Sequence, residues 1–148
     1  MQSTVLFGIG TNSGRREENI SRALAALSAL FPGAEVRASG IYRSAPDGFE
    51  SPNEFMNIAV AVVCERTSPW TVADMLALLG STQAIERSIG HMPHRNPDGS
   101  YRDRDIDIDI IDIDGLRVNL PHLVLPHPRA KERLFVTVPL REIGYILD

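Results

Sequence analysis

From Ile106 to Ile110 isoleucine and aspartate alternate strictly, and Asp103 and Asp105 carry the acidic phase further upstream. A period of two predicts a β-strand over residues 102–111, with Asp103, Asp105, Asp107 and Asp109 on one face and the isoleucines on the other. Isoleucine is β-branched and suits a pleated, half-buried surface, which favours strand over helix. Residues 4–9 form an apolar run that predicts a central strand, ended by Gly8, Gly10 and Asn12, with Asn12 or Ser13 capping the helix that follows. Ile20, Ala23, Leu24, Leu27, Leu30 and Phe31 recur at helical spacing until Pro32-Gly33 stops them. Residues 34–43 predict a second strand and residues 55–63 a third, apolar enough to be central, with a Pro- and Gly-rich loop over 44–52 between them. Ser68 as cap and Pro69 at the first position open a second helix. Its buried stripe is read as Val72, Met75, Leu76 and Leu79, and it runs through Ile85 to about Ser88. A long loop over 90–100 precedes the aspartate strand, and loops of that length are usually functional or mobile. The strand's phase slips at Ile110-Ile111, which puts Asp112 and Asp114 past the ordered pairing, in or near a turn at Gly115. Residues 116–120 predict a returning hairpin strand. Leu125-Pro126-His127-Pro128 makes a rigid turn, and residues 135–140 are a last short apolar segment.

The order β-α-β-β-α-β, followed by short elements, predicts an α+β protein with a ferredoxin-like core, its helices on one face of an antiparallel sheet. The 148 residues suit a single domain spanning 1–148, and 43% hydrophobic with 23% charged residues is ordinary for a soluble globular chain. The fold hosts many activities and decides none of them. A formal net charge of -4 argues against a general electrostatic grip on nucleic acid or an anionic membrane, so neither is an expected partner. Cys64 is the only cysteine, which excludes an internal disulfide and thiolate zinc clusters, and in its apolar run it reads as a buried structural thiol. No apolar stretch reaches transmembrane length and no basic leader opens the chain, so a cytoplasmic location is expected.

Chemistry concentrates on the aspartate strand. Side chains two apart stand roughly 6.5–7 Å apart at the backbone. From there two carboxylates can converge on metal ions roughly 3.5–4 Å apart. Oxygen-only ligation favours a hard ion such as Mg²⁺, which keeps waters and takes other ligands from phosphate. A solvated edge strand is the plainer reading, but such edges more often carry lysine, and here Arg102 and Arg104 flank the acids. An EF-hand loop fails, because its glycine position falls on Ile108 and no closing glutamate follows.

Taken in order, Gly8-Ile9-Gly10-Thr11-Asn12, Tyr42-Arg43-Ser44-Ala45-Pro46, Phe55-Met56-Asn57-Ile58-Ala59, Gln83-Ala84-Ile85-Glu86-Arg87, Arg104 through Ile110, and Leu125-Pro126-His127-Pro128 with Arg133 and Phe135 form one pattern. Over nearly the whole chain it resembles the 6-hydroxymethyl-7,8-dihydropterin pyrophosphokinases of the folate pathway. The resemblance implies transfer of the β,γ-pyrophosphoryl group of ATP to the pterin hydroxymethyl oxygen, with release of AMP. It implies Asp107 and Asp109 as ligands of two Mg²⁺ ions and Arg104 as the catalytic arginine that clamps the triphosphate, a task for which Arg's planar fork is better suited than Lys. For the pterin it implies Ser44, Ala45, Phe55, Asn57 and Phe135, with Tyr101 at the place of a loop tryptophan. Two aromatics can sandwich a flat ring, and the Asn57 amide carries a donor and an acceptor.

For ATP the resemblance implies Leu79, Gln83, Glu86, Ile110, His127 and Arg133. Leu79 and Ile110 line an adenine slot, while His127 and Arg133 approach phosphates or ribose. The chain departs from the family pattern at His91 and His122, where many members have arginine, at Val124, and at Asp105 beside the metal pair. Arg95 or Arg102 is expected to replace the arginine missing at position 91, and Asp105 to raise the demand for Mg²⁺. ATP and the pterin are the expected partners of a monomer. Two other classes stay open: another two-metal nucleotide-processing enzyme on a ferredoxin-like fold, and a non-catalytic module that binds a divalent cation.

Overall fold

In chain order the elements are β1 (Gln2–Thr11), α1 (Arg16–Ala29), β2 (Glu35–Ala38), β3 (Tyr42–Ser44), β4 (Phe55–Glu65), α2 (Val72–Ile89), β5 (Asp107–Ile113), β6 (Val118–Leu120), β7 (Leu123–Leu125) and α3 (Leu134–Glu142), with a 3₁₀ turn at Ala130–Glu132. They come from a computed structural model that describes residues 1–46, 51–90, 96–98 and 103–147. The fold is α+β. Its main sheet runs β2-β4-β1-β5, with β3 also paired to β4, and every pairing is antiparallel. β1 outgrows its apolar run because both neighbours offer ladder bonds along it: β4 pairs from Gln2↔Glu65 to Thr11↔Met56, and β5 from Val5↔Ile113 to Gly10↔Asp107.

Alternation along these strands sorts side chains to two cores. Val5, Phe7 and Ile9 join Ile58, Val60, Val62, Ile108, Ile110 and Ile113 under α1 and α2. Leu6, Ala59, Ala61 and Ile111 face the other way, against Ala130 and the α3 residues Val136 and Leu140. Helices therefore cover both faces, not one. The segment at 135–140 is the second cover, wound as a helix.

Several local expectations are corrected. Neither Asn12 nor Ser13 caps α1, which starts after Arg15 without a side-chain cap, because the Asn12 amide is engaged by residues 53, 103 and 104. The strand expected over 34–43 is two, β2 and β3, laid in turn along β4. α2 is capped by Thr71 in a reciprocal box with Asp74, not by Ser68. Its buried stripe is Met75, Leu78, Thr82 and Ile85, while Val72 and Leu76 stay 50% and 44% exposed. Docking against α1 and β5 sets that phase.

The slip at Ile110-Ile111 is a β-bulge, not an end. Leu6 pairs with Asp112 and Phe7 with Ile110, so Ile111 is the extra residue and β5 continues to Ile113. Asp112 lies within the pairing. Asp114 sits in the turn with φ 53° and accepts from the Ser3 hydroxyl and the Thr4 N–H. The strand at 118–120 pairs with β7 in a separate hairpin. Cys64 is half-buried, and desolvation, its largest influence, raises its thiol pKa. Among the described residues no helix is long and apolar enough to cross a membrane.

Candidate active site

On the α3 face, the row that begins with Leu6 continues with two glycines, and Ala59 and Ala61 give way to Asn57. The cross-strand register sets Gly8 between Ala59 and Asp109, and Gly10 between Asn57 and Asp107. With no side chain on the middle strand, the sheet end opens into a cavity of about 390 Å³. Ser44, Ala45 and Phe55 form one wall; Arg104, Asp107 and Asp109 form the opposite one; His127, Arg129, Arg133 and Phe135 come over from the C-terminal segment.

Asp107 and Asp109 do share a face, as the alternation requires. Asp103 and Asp105 do not extend it, because they precede β5 and lie off the cavity. Asp105 packs where a Cβ on Gly90 would stand 2.8 Å from its own Cβ. That leaves the expected effect of Asp105 on metal demand without a place in the cavity wall.

Arg104 Nη1 donates to Asp107 Oδ2 at 2.9 Å, with the two side chains only 15% and 21% exposed. Its carboxylate partner is thus the metal-ligand candidate three residues on, not a surface pair with Asp103 or Asp105. Asp109 is worse off. Desolvation, then the charges of Asp107 and Glu86, push its carboxyl well above the ordinary range, against the pull of Arg104 and Arg133. Glu86 reaches over from α2 and accepts the Ile108 N–H at 2.8 Å, at the open edge of β5. Burial, opposed by that bond and reinforced by Asp107, lifts it to about 7.

Asn57 spends both amide protons, on Tyr42 O at 3.0 Å and Ser44 Oγ at 2.9 Å. It turns only its Oδ1 acceptor toward Gly10, where a Cβ would stand 3.0 Å away. The expected donor is used up inside the protein. His127 Nδ1 accepts the Arg129 N–H at 3.3 Å, which leaves the proton of a neutral ring on Nε2. Burial, with the positive charges of Arg133 and Arg129, lowers its pKa below the ordinary 6.5. Above pH 6.5 both folded and unfolded chains hold a neutral ring. As pH falls from 6.5 through the lower folded value, the unfolded chain takes a proton that the folded one refuses, and stability is lost. His127→Asn, which keeps an acceptor for Arg129, is expected to flatten the fall in thermal midpoint between about pH 7 and 5. An equally steep fall in the variant would reject this.

Of the residues named from sequence, Ser44, Ala45, Phe55, Asn57, Arg104, Asp107, Asp109, His127, Arg133 and Phe135 line this cavity. Leu79 packs against the helix-side core, Gln83 is exposed on α2, and the Ile110 side chain is buried in that core. Tyr101, His91, Arg95 and Arg102 lie outside the described residues. His122 is exposed, and both it and Val124 belong to the β6–β7 hairpin region, away from the lining. Sequence reading missed Arg129, a cation two residues after His127, and took Gly8 and Gly10 for the end of the first strand, whereas β1 runs through both to Thr11. Glycine at every second position of an apolar strand was the available signal.

Fold and cavity define a class: an α+β protein whose sheet end holds paired carboxylates among arginines, suited to a ligand that is both anionic and flat. The family model described as 7,8-dihydro-6-hydroxymethylpterin-pyrophosphokinase matches residues 6–145. A 2-amino-4-hydroxy-6-hydroxymethyldihydropteridine pyrophosphokinase of Porphyromonas gingivalis is 39% identical over 95% of this chain and 90% of its own length. The Bacillus subtilis protein of that name is 32% identical over 97% of the chain and 79% of its own. A solved HPPK-DHPS chain in complex with substrates superposes with a TM-score of 0.64 at 16% identity, over 97% of this chain and 40% of that one, and supports the fold. The chain belongs to the 7,8-dihydro-6-hydroxymethylpterin-pyrophosphokinase family.

Proposed function

We propose that the two substrates lie side by side across the Gly8–Gly10 column, ATP phosphates on the Asp107–Asp109 side and the pterin on the Asn57 side. As a member of its family the chain transfers pyrophosphate from ATP to 6-hydroxymethyl-7,8-dihydropterin in folate biosynthesis, leaving AMP. The observation that carries the placement is the register: Asn57 and Asp107 flank Gly10 on neighbouring strands. Residues two strands apart stand roughly 9–10 Å apart, a span that brings two bound substrates into contact over a bare middle strand.

The acid pair fits a hard cation. Two carboxylates on one strand face supply oxygen only, and among the described residues no group of three or more His, Cys, Asp or Glu converges to complete a protein-only cage. That suits Mg²⁺, which takes remaining ligands from water and phosphate. Burial first, then the neighbouring charges of Asp107 and Glu86, disfavours a bare charge on Asp109, and a bound cation would offset both. When bound, two Mg²⁺ ions held by Asp107 and Asp109 would neutralise charge on the triphosphate.

The remaining work is positioning, which is most of what phosphoryl transfer asks of a protein. Arg104 and Arg133 clamp phosphate oxygens from two sides, and Arg129 adds a third cation. Neutral His127 donates from Nε2. Asn57 Oδ1 accepts from the pterin's N–H edge while Phe55 and Phe135 cover its faces. The adenine is held by Leu79, Gln83 and the main chain of Ile110. Because the Ile108 N–H points out to Glu86, period two sends the Ile110 N–H to the same open edge, where an adenine can meet it. Ile110 thus contributes backbone, its side chain being core. The β1-α1-β2-β4-α2-β5 order reads as the ferredoxin-like core of this arrangement, with β3 and the C-terminal segment as additions.

Incubation with Mg-ATP and the hydroxymethyl dihydropterin is expected to release AMP, with ADP or free pyrophosphate counting against the reading. Gly10→Ala is expected to raise KM for the pterin about tenfold with little change for ATP, since its methyl would press on Asn57 Oδ1 and reach the Phe55 ring. A pterin KM unchanged within twofold would reject the placement.

A further inference from the structure

Residues 103–105, just ahead of β5, belong to no strand, yet asparagines from three places hold them. Asn12, 2% exposed, donates from Nδ2 to Asp103 Oδ1 at 2.8 Å and to Asn53 O at 3.1 Å. Its Oδ1 accepts the Arg104 N–H at 2.7 Å, and its own N–H donates to Arg104 O at 3.0 Å. Asn19 Nδ2 donates to Asp105 O at 3.1 Å. The second Asp103 oxygen, Oδ2, accepts from Asn53 Nδ2. One carboxylate therefore joins the end of β1 to the segment that leads into β4 at Phe55.

We infer that Asp103 is a positioning residue: it fastens the pterin-side segment at Asn53 to the backbone that carries Arg104. Both walls of the cleft are then tied through this carboxylate, alongside the direct bonds of Asn12 to Asn53 O and to the Arg104 backbone. This rests on the reading of the cleft given above. Amides donating to an ionised carboxylate form stronger bonds than neutral pairs, and a satisfied polar network rigidifies what it joins. Misplacement of a clamp by about 1 Å can cost up to 10²-fold in rate. Asparagine in place of Asp103 has the same shape but only one acceptor oxygen, so its amide would face the Asn12 or the Asn53 donor. Exchanging the two side chains restores both bonds, because the new amide can then donate to a carboxylate on the Asn53 side and still accept from Asn12.

The test is single-turnover AMP formation in the full chain, with KM values and thermal midpoints recorded alongside. Asp103→Asn is expected to slow turnover about tenfold or more, with both KM values within threefold. The exchanged pair Asp103→Asn with Asn53→Asp is expected to recover to within threefold of wild type. If Asp103→Asn does not fold, Asn53→Ala, which removes one donor from an exposed side chain, is expected to slow turnover in the same way. An active wild type with unimpaired Asp103→Asn or Asn53→Ala, or an exchanged pair no faster than the single variant, overturns this inference alone. A wild type that makes no AMP removes the functional reading and this inference together.

Discussion

Asp109→Asn is expected to abolish AMP formation and, in the presence of chelator, to raise the thermal midpoint. The two effects have one cause. Asp109 stands in a desolvated wall beside Asp107 and Glu86, where a charge is costly without a cation. Asparagine keeps the shape and removes the charge. A gain of about 1 kcal/mol is expected, which for a domain of this size is a rise of about 2–4 °C. The sign follows from the direction of the shift. A carboxyl whose folded pKa is raised contributes favourably below its unfolded value and loses that contribution as pH rises through the folded one. The advantage of asparagine is therefore largest at neutral pH and closes as pH falls toward the ordinary carboxyl value of 3.8. Activity moves the other way. Removing one preorganised electrostatic group typically costs about 10²–10³-fold, and here the loss includes the metal ligand proposed above. Differential scanning in EDTA with an AMP assay in Mg²⁺ reads both. A lower midpoint in EDTA would mean that the acid is satisfied without metal.

The same residues show what sequence can and cannot disclose. Alternation from Ile106 to Ile110 fixed which acids share a face, because that pattern is local to one strand. It could not say where the strand begins. Asp103 and Asp105 keep the phase but are drawn off by Asn12 and Asn19, which bond to the backbone of Arg104 and Asp105. Those partners are some 90 residues away in the chain, beyond any periodicity. The α2 stripe failed for a related reason. Val72 and Leu76 have the spacing of a buried row, but packing against α1 rotates the helix toward Met75, Leu78 and Ile85. The cavity was half legible. Its polar residues, Arg129 excepted, were found through family motifs. Its emptiness comes from Gly8 and Gly10, which matter only once their neighbours across the sheet are known.

Arg104→Ala is expected to lose both activity and stability, and Arg104→Lys to separate them. In the folded chain Arg104 Nη1 donates to Asp107 at 2.9 Å, with both side chains largely buried. Alanine leaves Asp107 beside Asp109 and Glu86 without the Arg104 counter-charge. Breaking a largely buried pair from one side costs about 2–4 kcal/mol, most of it the penalty on the stranded partner. Lysine restores the charge on a flexible stem, so the midpoint is expected to recover most of that loss. It does not restore the fork. A guanidinium can hold a carboxylate with one nitrogen and offer a second to a phosphate oxygen, whereas an ammonium acts as a single point of charge. Arg104→Lys is therefore expected to remain at least tenfold low in kcat/KM for ATP, and Arg104→Ala about 10²–10³-fold low. Adding Asp107→Ala to Arg104→Ala should recover stability while leaving the enzyme inactive, because the stranded charge goes with its partner. Urea unfolding of the single and double variants measures this directly. Additive destabilisation in the double variant would show that Arg104 acts through packing, and its assignment to the phosphates would then need another foundation.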